Sequence, residues 1–134
     1  PEIEQTLSDV SGVPVKVTFV PHLLPVNRGI VSTMYASLCQ DVPLEAIHQA
    51  YCAFYQNEPF VRIRPLGSIA NLKHVRCSNF CDISLHLDPR THRLIVVSAI
   101  DNMVKGAAGQ AIQNMNLVCG FPETAGLALV PPAF

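Results

Sequence analysis

Ser98-Ala99-Ile100-Asp101-Asn102-Met103-Val104-Lys105-Gly106-Ala107-Ala108-Gly109-Gln110-Ala111 is the stretch whose reading decides the fold. A buried strand leaves through Ser98, Ala99 and Ile100. A helix then starts at once, with Asp101 or Asn102 as its N-cap, since either side chain can accept a hydrogen bond from a free backbone N–H. Glycine is costly inside a helix, so Gly106 and Gly109 in one turn point to something packed closely on the backbone. Lys105 is out of place beside the positive end of a helix dipole. An anionic ligand there would turn the free N–H groups, the dipole and the ammonium into one attractive set. A solvated lysine on a helix packed against a sheet accounts for the local pattern equally well.

Upstream of this stretch, His92 to Ile100 is almost continuously apolar, which predicts a central strand covered on both faces. Phe80 to Leu87 alternates, with Cys81, Ile83, Leu85 and Leu87 opposite Asp82, Ser84 and His86, and Asp88-Pro89-Arg90-Thr91 turns the chain between the two strands. Phe60 to Arg64 is a short strand and Pro65 to Lys73 a loop. Asp41 and Pro43 open a helix whose stripe is Leu44, Ile47, Tyr51, Phe54 and Tyr55, stopped by Asn57-Glu58-Pro59. Ile30 to Leu38 is a β-branched strand with apolar residues on both sides. Pro21 to Gly29 is a connection stiffened by prolines, Val15 to Val20 an alternating strand, and Pro1 to Ser8 a short helical segment. Downstream, the helix presents Val104, Ala108, Ala111, Met115 and Val118 on one face until Gly120 and Pro122 stop it. The tail from Ala125 to Phe134 has no clear structure. The order β-β-α-β-β-β-α predicts an α+β domain over residues 1–134, with a mixed, largely antiparallel sheet and helices on one face.

The chain has 134 residues, nine basic and ten acidic, for a net charge of −1. That balance gives no electrostatic case for nucleic acid or an anionic membrane. No apolar run is long enough to span a bilayer, and no signal segment opens the chain. Charged residues make up 14% and hydrophobic residues 49%, against about 25% charged in ordinary domains. So few polar groups clothe a lone domain poorly, which predicts that another chain or another part of the same protein covers much of the surface. The first residue is Pro1 and not methionine, so the start reads as cut or trimmed. Five cysteines without regular spacing argue for a reducing compartment and against a disulfide scaffold.

His74, Cys77 and Cys81 fit no common zinc spacing, and no metal site is expected. Cys81 lies on the apolar phase of its strand, and packing explains Cys39, Cys52 and Cys119. None of the five has an evident base nearby in sequence, as a nucleophile would need. Arg28, on a rigid loop before Gly29, could hold a carboxylate in a two-bond fork, and His22 in the same loop could join it on an anion. Arg62 and Arg64 point to one face of a strand, solvated or at a dimer rim. Read alone, the residues supply one possible anion site, one possible carboxylate clamp and no complete catalytic set.

Several blocks in order along the chain are similar to one family. They include Pro1-Glu2-Ile3-Glu4-Gln5, Phe19-Val20-Pro21-His22-Leu23-Leu24-Pro25, Arg28-Gly29-Ile30, Glu58-Pro59-Phe60-Val61, Ser78-Asn79-Phe80-Cys81-Asp82-Ile83, the opening stretch, and Gly120-Phe121-Pro122-Glu123-Thr124. Together they resemble N-acetyl-gamma-glutamyl-phosphate reductase from Pro1 to about Leu127. The resemblance implies an NADP-dependent reduction of N-acetyl-γ-glutamyl phosphate to N-acetylglutamate 5-semialdehyde, with release of phosphate, in arginine biosynthesis. It implies a cytoplasmic enzyme, or a plastid one in a plant. It further implies that the nucleophilic cysteine, the assisting histidine and the Rossmann domain that holds NADP lie upstream of Pro1, so this chain alone is expected to be inactive.

On this resemblance the chain is a C-terminal catalytic and dimerisation domain. Residues 102–119 form the last helix, which packs back on the cofactor domain. Asn102, Lys105 and Gly106 fall on the cofactor side, and Arg28 with His22 on the substrate side. A homo-oligomer, dimer or tetramer, is implied. Aspartate-semialdehyde dehydrogenase shares the domain plan and is the alternative within the superfamily, while a purely structural dimerisation module is the alternative from another class.

Overall fold

The computed structural model describes residues 2–132. Pro1, Ala133 and Phe134, the outer ends of the first helical segment and of the tail, lie outside the described residues. In chain order the elements are α1 (Glu2–Ser11), β1 (Ile30–Ser37), α2 (Leu44–Phe54), β2 (Val61–Ile63), a 3₁₀ turn (Leu72–His74), β3 (Cys81–Asp88), β4 (Arg93–Ile100), a π-helical turn (Val104–Ala108) and α3 (Gly109–Val118).

The strands form one sheet in the order β1-β4-β3-β2. β4 pairs antiparallel with β1, from Ile30↔Ile100 to Ser37↔Arg93. It also pairs antiparallel with β3, from Cys81↔Ile100 to Asp88↔Arg93. β2 runs parallel to β3, Val61 opposite Cys81. The mixed, mostly antiparallel sheet of an α+β domain is therefore as expected, with the continuously apolar strand inside it.

Both faces of β4 are covered, by different kinds of structure. Leu94 and Val96 share one face with Ile83 and Leu85, and α2 lays Leu44, Ile47, Tyr51 and Tyr55 over them. The opposite face carries Val97 and Ala99, and is closed by Ala70 and Val75 from the segment between β2 and β3. That segment also seals the polar phase of β3, so Asp82 and Ser84 are fully buried. Ser84 Oγ accepts the Ala70 N–H at 3.0 Å, which answers the need of a buried hydroxyl for a partner.

Two sequence expectations are corrected. Val15 to Val20 is not a strand of the sheet. It pairs with no strand of the sheet; instead the Val15 N–H donates to Ser8 Oγ and the Val17 N–H to Glu4 Oε1, tying the segment to α1. The face of the last helix is also different. Its buried residues are Gly109, Gln113 and Asn116, while Ala108, Ala111, Met115 and Val118 are exposed. The π turn is the cause: the N–H groups of Gly106 and Ala108 donate to the carbonyls of Asp101 and Met103, five residues back. One π turn holds an extra residue, so every later position rotates by one.

β1 is exposed along its whole length, with Val31, Met34 and Tyr35 open on an edge that proteins ordinarily blunt or cover. The accessible surface is 9430 Å², whereas a compact monomer of this mass would show about 6,900 Å².

Candidate functional site

At the end of β4 the chain turns on Asp101, a carboxylate only 1% exposed. Its Oδ1 accepts the N–H groups of Met103 at 2.8 Å and Val104 at 3.0 Å, so Asp101 is the cap that starts the helical turn. Its Oδ2 accepts the Cys77 N–H at 2.6 Å. Arg28 reaches in from the proline-stiffened loop: Nη2 donates to Oδ1 at 2.9 Å. Arg28 Nε lies 2.8 Å from Oδ2, close enough for an ion pair although its N–H is not aligned as a hydrogen bond. Burial alone would raise the Asp101 pKa; Arg28 and the three backbone donors outweigh it and hold the acid at about 2. The same contact raises Arg28.

The neighbouring residue completes the junction. Asn102 Oδ1 accepts the Gly29 N–H at 2.6 Å. Gly29 has a φ of 116°, and a β-carbon there would overlap the Leu72 side chain, so only glycine fits the position. The anion expected at this helix start and the carboxylate expected in the Arg28 fork are thus one group, the chain's own Asp101. His22 does not share the node: it is exposed, and its Nδ1 lies 3.1 Å from the Val20 carbonyl oxygen in its own loop.

Below the junction the inward face of the helix is held by a polar network. Gln113 Oε1 accepts from Asn79 Nδ2 at 2.9 Å and from Lys105 Nζ at 2.8 Å, and Gln113 Nε2 donates to Glu123 Oε1 at 2.6 Å. Asn116 Nδ2 donates to the carbonyls of Glu123 and Ala125. Lys105 therefore turns inward, its Nζ 5.6 Å from the centre of the Phe60 ring. Burial lowers its pKa, against the acidic pull of Glu123 and Glu58. The two glycines differ. A β-carbon at Gly109 would overlap Asn79 Oδ1 and come within 2.7 Å of Val104 Cγ1, whereas one at Gly106 would meet nothing closer than 3.6 Å. Gly109 is required by the inward packing. Gly106 is not, and it lies on the exposed side.

Arg62 and Arg64, expected in solvent or at a dimer rim, turn instead to the buried Asp82. Arg62 Nε donates to Asp82 Oδ1 at 2.6 Å, and Arg64 Nη1 lies 3.8 Å from Oδ2. Arg62 also stacks over Phe80, 4.0 Å from its centroid. A cavity of about 330 Å³ beside Arg28 is lined by Lys73 and Arg76, and one of about 300 Å³ brings Lys73 beside Arg62, Arg64 and His74. Five of the nine basic residues thus gather along this side of a chain whose net charge is negative.

Cys39, Cys52 and Cys119 are exposed, so packing does not account for them. Burial pushes the Cys81 thiol up. One cysteine does have a histidine near it: Cys52 Sγ is 3.7 Å from His48 Nδ1, one helical turn back on α2. Among the described residues no group of three or more His, Cys, Asp or Glu could hold a metal ion, and no helix is long and apolar enough to cross a membrane. Sequence reasoning gave no role to Asn79, Gln113 or Glu123. Their signal was the polar phase 109, 113, 116, visible only once the π turn is allowed for.

Residues 1–102 match the family described as semialdehyde dehydrogenase, dimerisation domain. Along its whole length the chain is 63% identical to an N-acetyl-gamma-glutamyl-phosphate reductase of Brachyspira hyodysenteriae, covering 38% of that protein. It is 57% identical to the reductase of the same name from Clostridium botulinum, covering 39% of it. Over 98% of its length it is 57% identical to that of Geobacter metallireducens, covering 38%. The chain thus spans about two fifths of the length of the curated relatives it matches.

Proposed function

The chain belongs to the semialdehyde dehydrogenase dimerisation-domain family, and on that premise we propose that it is the C-terminal part of an NADP-dependent N-acetyl-gamma-glutamyl-phosphate reductase of arginine biosynthesis. The observation that carries this reading is the match to reductases of that name over the full chain, 63% identical in one case. The reading places the nucleophilic cysteine and the histidine upstream of Pro1, on or beside a Rossmann domain that the last helix packs against. Localisation follows the reading: cytoplasm, or plastid in a plant.

The geometry supports specific roles. Asp101 already neutralises the helix start, so a phosphate has little to gain there; an uncharged polar part of the cofactor suits it better. Asn102 spends its Oδ1 on Gly29, which leaves its amide N–H groups to donate to such a group. Gly106 offers a surface without a β-carbon where none is needed internally. Lys105 acts from behind, fixing Gln113 and with it the inward face. Bound NADPH supplies the hydride; this chain's residues orient it and exclude water. Arg28 serves the substrate side. Arg28, held on Asp101, faces a cavity whose other cations are Lys73 and Arg76, a setting suited to an anionic substrate group.

We further read β1 and the exposed 13–26 segment as surface for a homo-oligomer, dimer or tetramer, and the exposed Ala108, Ala111, Met115, Val118 face of the last helix as surface for the cofactor domain. About 2,500 Å² of surface beyond that of a compact monomer is the size of an obligate interface. The test is to join the preceding part of the Brachyspira relative to this chain. The joined protein should reduce N-acetyl-γ-glutamyl phosphate with NADPH, and this chain alone should not. A folded but inactive fusion, or turnover by the chain alone, overturns the proposal.

A further inference from the structure

We propose that the cavity between the end of β2, the 3₁₀ turn and the tail binds a small dianion of the phosphate type, held by Arg64 and Lys73. The inference goes beyond the reductase reading and does not depend on it. Three separate stretches build the cavity, of about 300 Å³: Arg62 and Arg64 come from β2 and its end, Lys73 and His74 from the turn, and Pro131 with Pro132 from the tail. Residues two apart on an extended chain project to the same side, which is why both arginines reach it.

The cations have different duties. Arg62 is structural: its Nε donates to Asp82 Oδ1 at 2.6 Å and its Nη2 to the His74 carbonyl at 2.8 Å, so it fastens the turn to the strand. The main chain of Arg64 is also pinned. Its N–H donates to the Ile83 carbonyl at 2.7 Å, and His48 Nε2 lies 3.0 Å from its carbonyl oxygen. Its guanidinium is used less fully. Nη1 stands 3.8 Å from Asp82 Oδ2, beyond hydrogen-bond reach, and Nε has no hydrogen-bond partner among the described residues. Lys73 is exposed. It bonds through its backbone N–H, to Asn71 Oδ1, which leaves its ammonium without a partner among the described residues. Arg62, Arg64 and Lys73 thus set three positive charges against the one negative charge of Asp82, an excess of two at the cavity wall. Like charges gathered there repel one another, and a dianion attracts each of them. A guanidinium offers a planar fork and an ammonium a point charge, and a tetrahedral phosphate has oxygens for both. A monocarboxylate would balance only half of the excess.

Inorganic phosphate is the probe. It is titrated into the chain at constant ionic strength, in exchange for chloride, and followed by calorimetry and by melting temperature. Binding should saturate in the millimolar range and raise the melting temperature above that in chloride. Sulfate should compete and acetate should not. Lys73→Gln, at an exposed position, and Arg64→Gln should each weaken binding at least about fivefold, the loss of one charge-assisted contact. Arg76→Gln, which alters only the cavity beside Arg28, should change it by less than about twofold. Binding that never saturates, that acetate displaces as well as sulfate does, or that Lys73→Gln leaves intact overturns the proposal. So does a loss at Arg76→Gln as large as that at Arg64→Gln, which would put the phosphate beside Arg28.

Discussion

Asp101 and Asp82 are both buried acids met by arginines, yet they do different things. Asp101 has both oxygens engaged, by Arg28 and by the N–H groups of Cys77, Met103 and Val104. Four stretches of backbone meet there: the proline-stiffened loop, the approach to β3, the end of β4 and the start of the last helix. Asp82 is bonded by Arg62 through Oδ1, while its Oδ2 has only Arg64 at 3.8 Å and no hydrogen bond. It ties β2 to β3 and little else. A carboxylate that collects backbone donors sets where main chain can go, and so builds a site; one that collects side chains only holds an edge of the sheet.

The same substitution separates the two. Asp101→Asn puts an NH₂ against a backbone N–H or against Arg28, and should destabilise the chain by about 3 kcal/mol, as expected for breaking a buried ion pair. Urea unfolding checks it. The pH dependence sharpens the point. The folded pKa of Asp101, about 2, lies below the ordinary carboxylate value of 3.8, so the stabilisation is complete above the ordinary value and is lost as pH falls from about 4 towards 2. Linkage makes it about 2 kcal/mol, and Asp101→Asn should flatten that part of the acid limb. Asp82→Asn also loses the charge that Arg62 and Arg64 pair with, but it keeps an oxygen for Arg62 and sets no NH₂ against a backbone N–H. It should cost about 2 kcal/mol in the same measurement; equal losses at the two positions would erase the distinction. Lys105→Met removes one donor from Gln113, whose oxygen keeps Asn79, and should cost about 0.5–1 kcal/mol by thermal unfolding.

Much of the sheet was legible because burial leaves a periodic trace. The apolar run from His92 to Ile100 marked the interior strand, and the alternation from Phe80 to Leu87 marked its neighbour. The same alternation misled at Val15 to Val20, since it records a face to be buried and does not name the partner. The alternation did not show that Asp82 and Ser84 are buried, because their cover is an irregular segment without periodicity of its own. In the candidate site the residues that attracted notice, Arg28, Asp101, Asn102 and Lys105, do cluster at one junction or just below it. What could not be read was that the first two satisfy each other. A fork and a cap look alike whether their anion comes from outside or from 73 positions along the chain. The inward face of the last helix was hidden by the π turn, which a strict helical period misses by one residue.

The central claim is that the inward face of this helix is locked by its own packing while Gly106 on the outward face is kept bare for a cofactor. Gly106→Leu tests it most directly, measured twice. In this chain the melting temperature should not fall, because a β-carbon there meets nothing closer than 3.6 Å and leucine is the better helix former. In the fusion with the preceding part of the Brachyspira relative, NADPH binding measured by calorimetry should weaken at least tenfold. If the Gly106→Leu enzyme binds NADPH as tightly as the parent, the bare glycine serves no ligand and the claim fails.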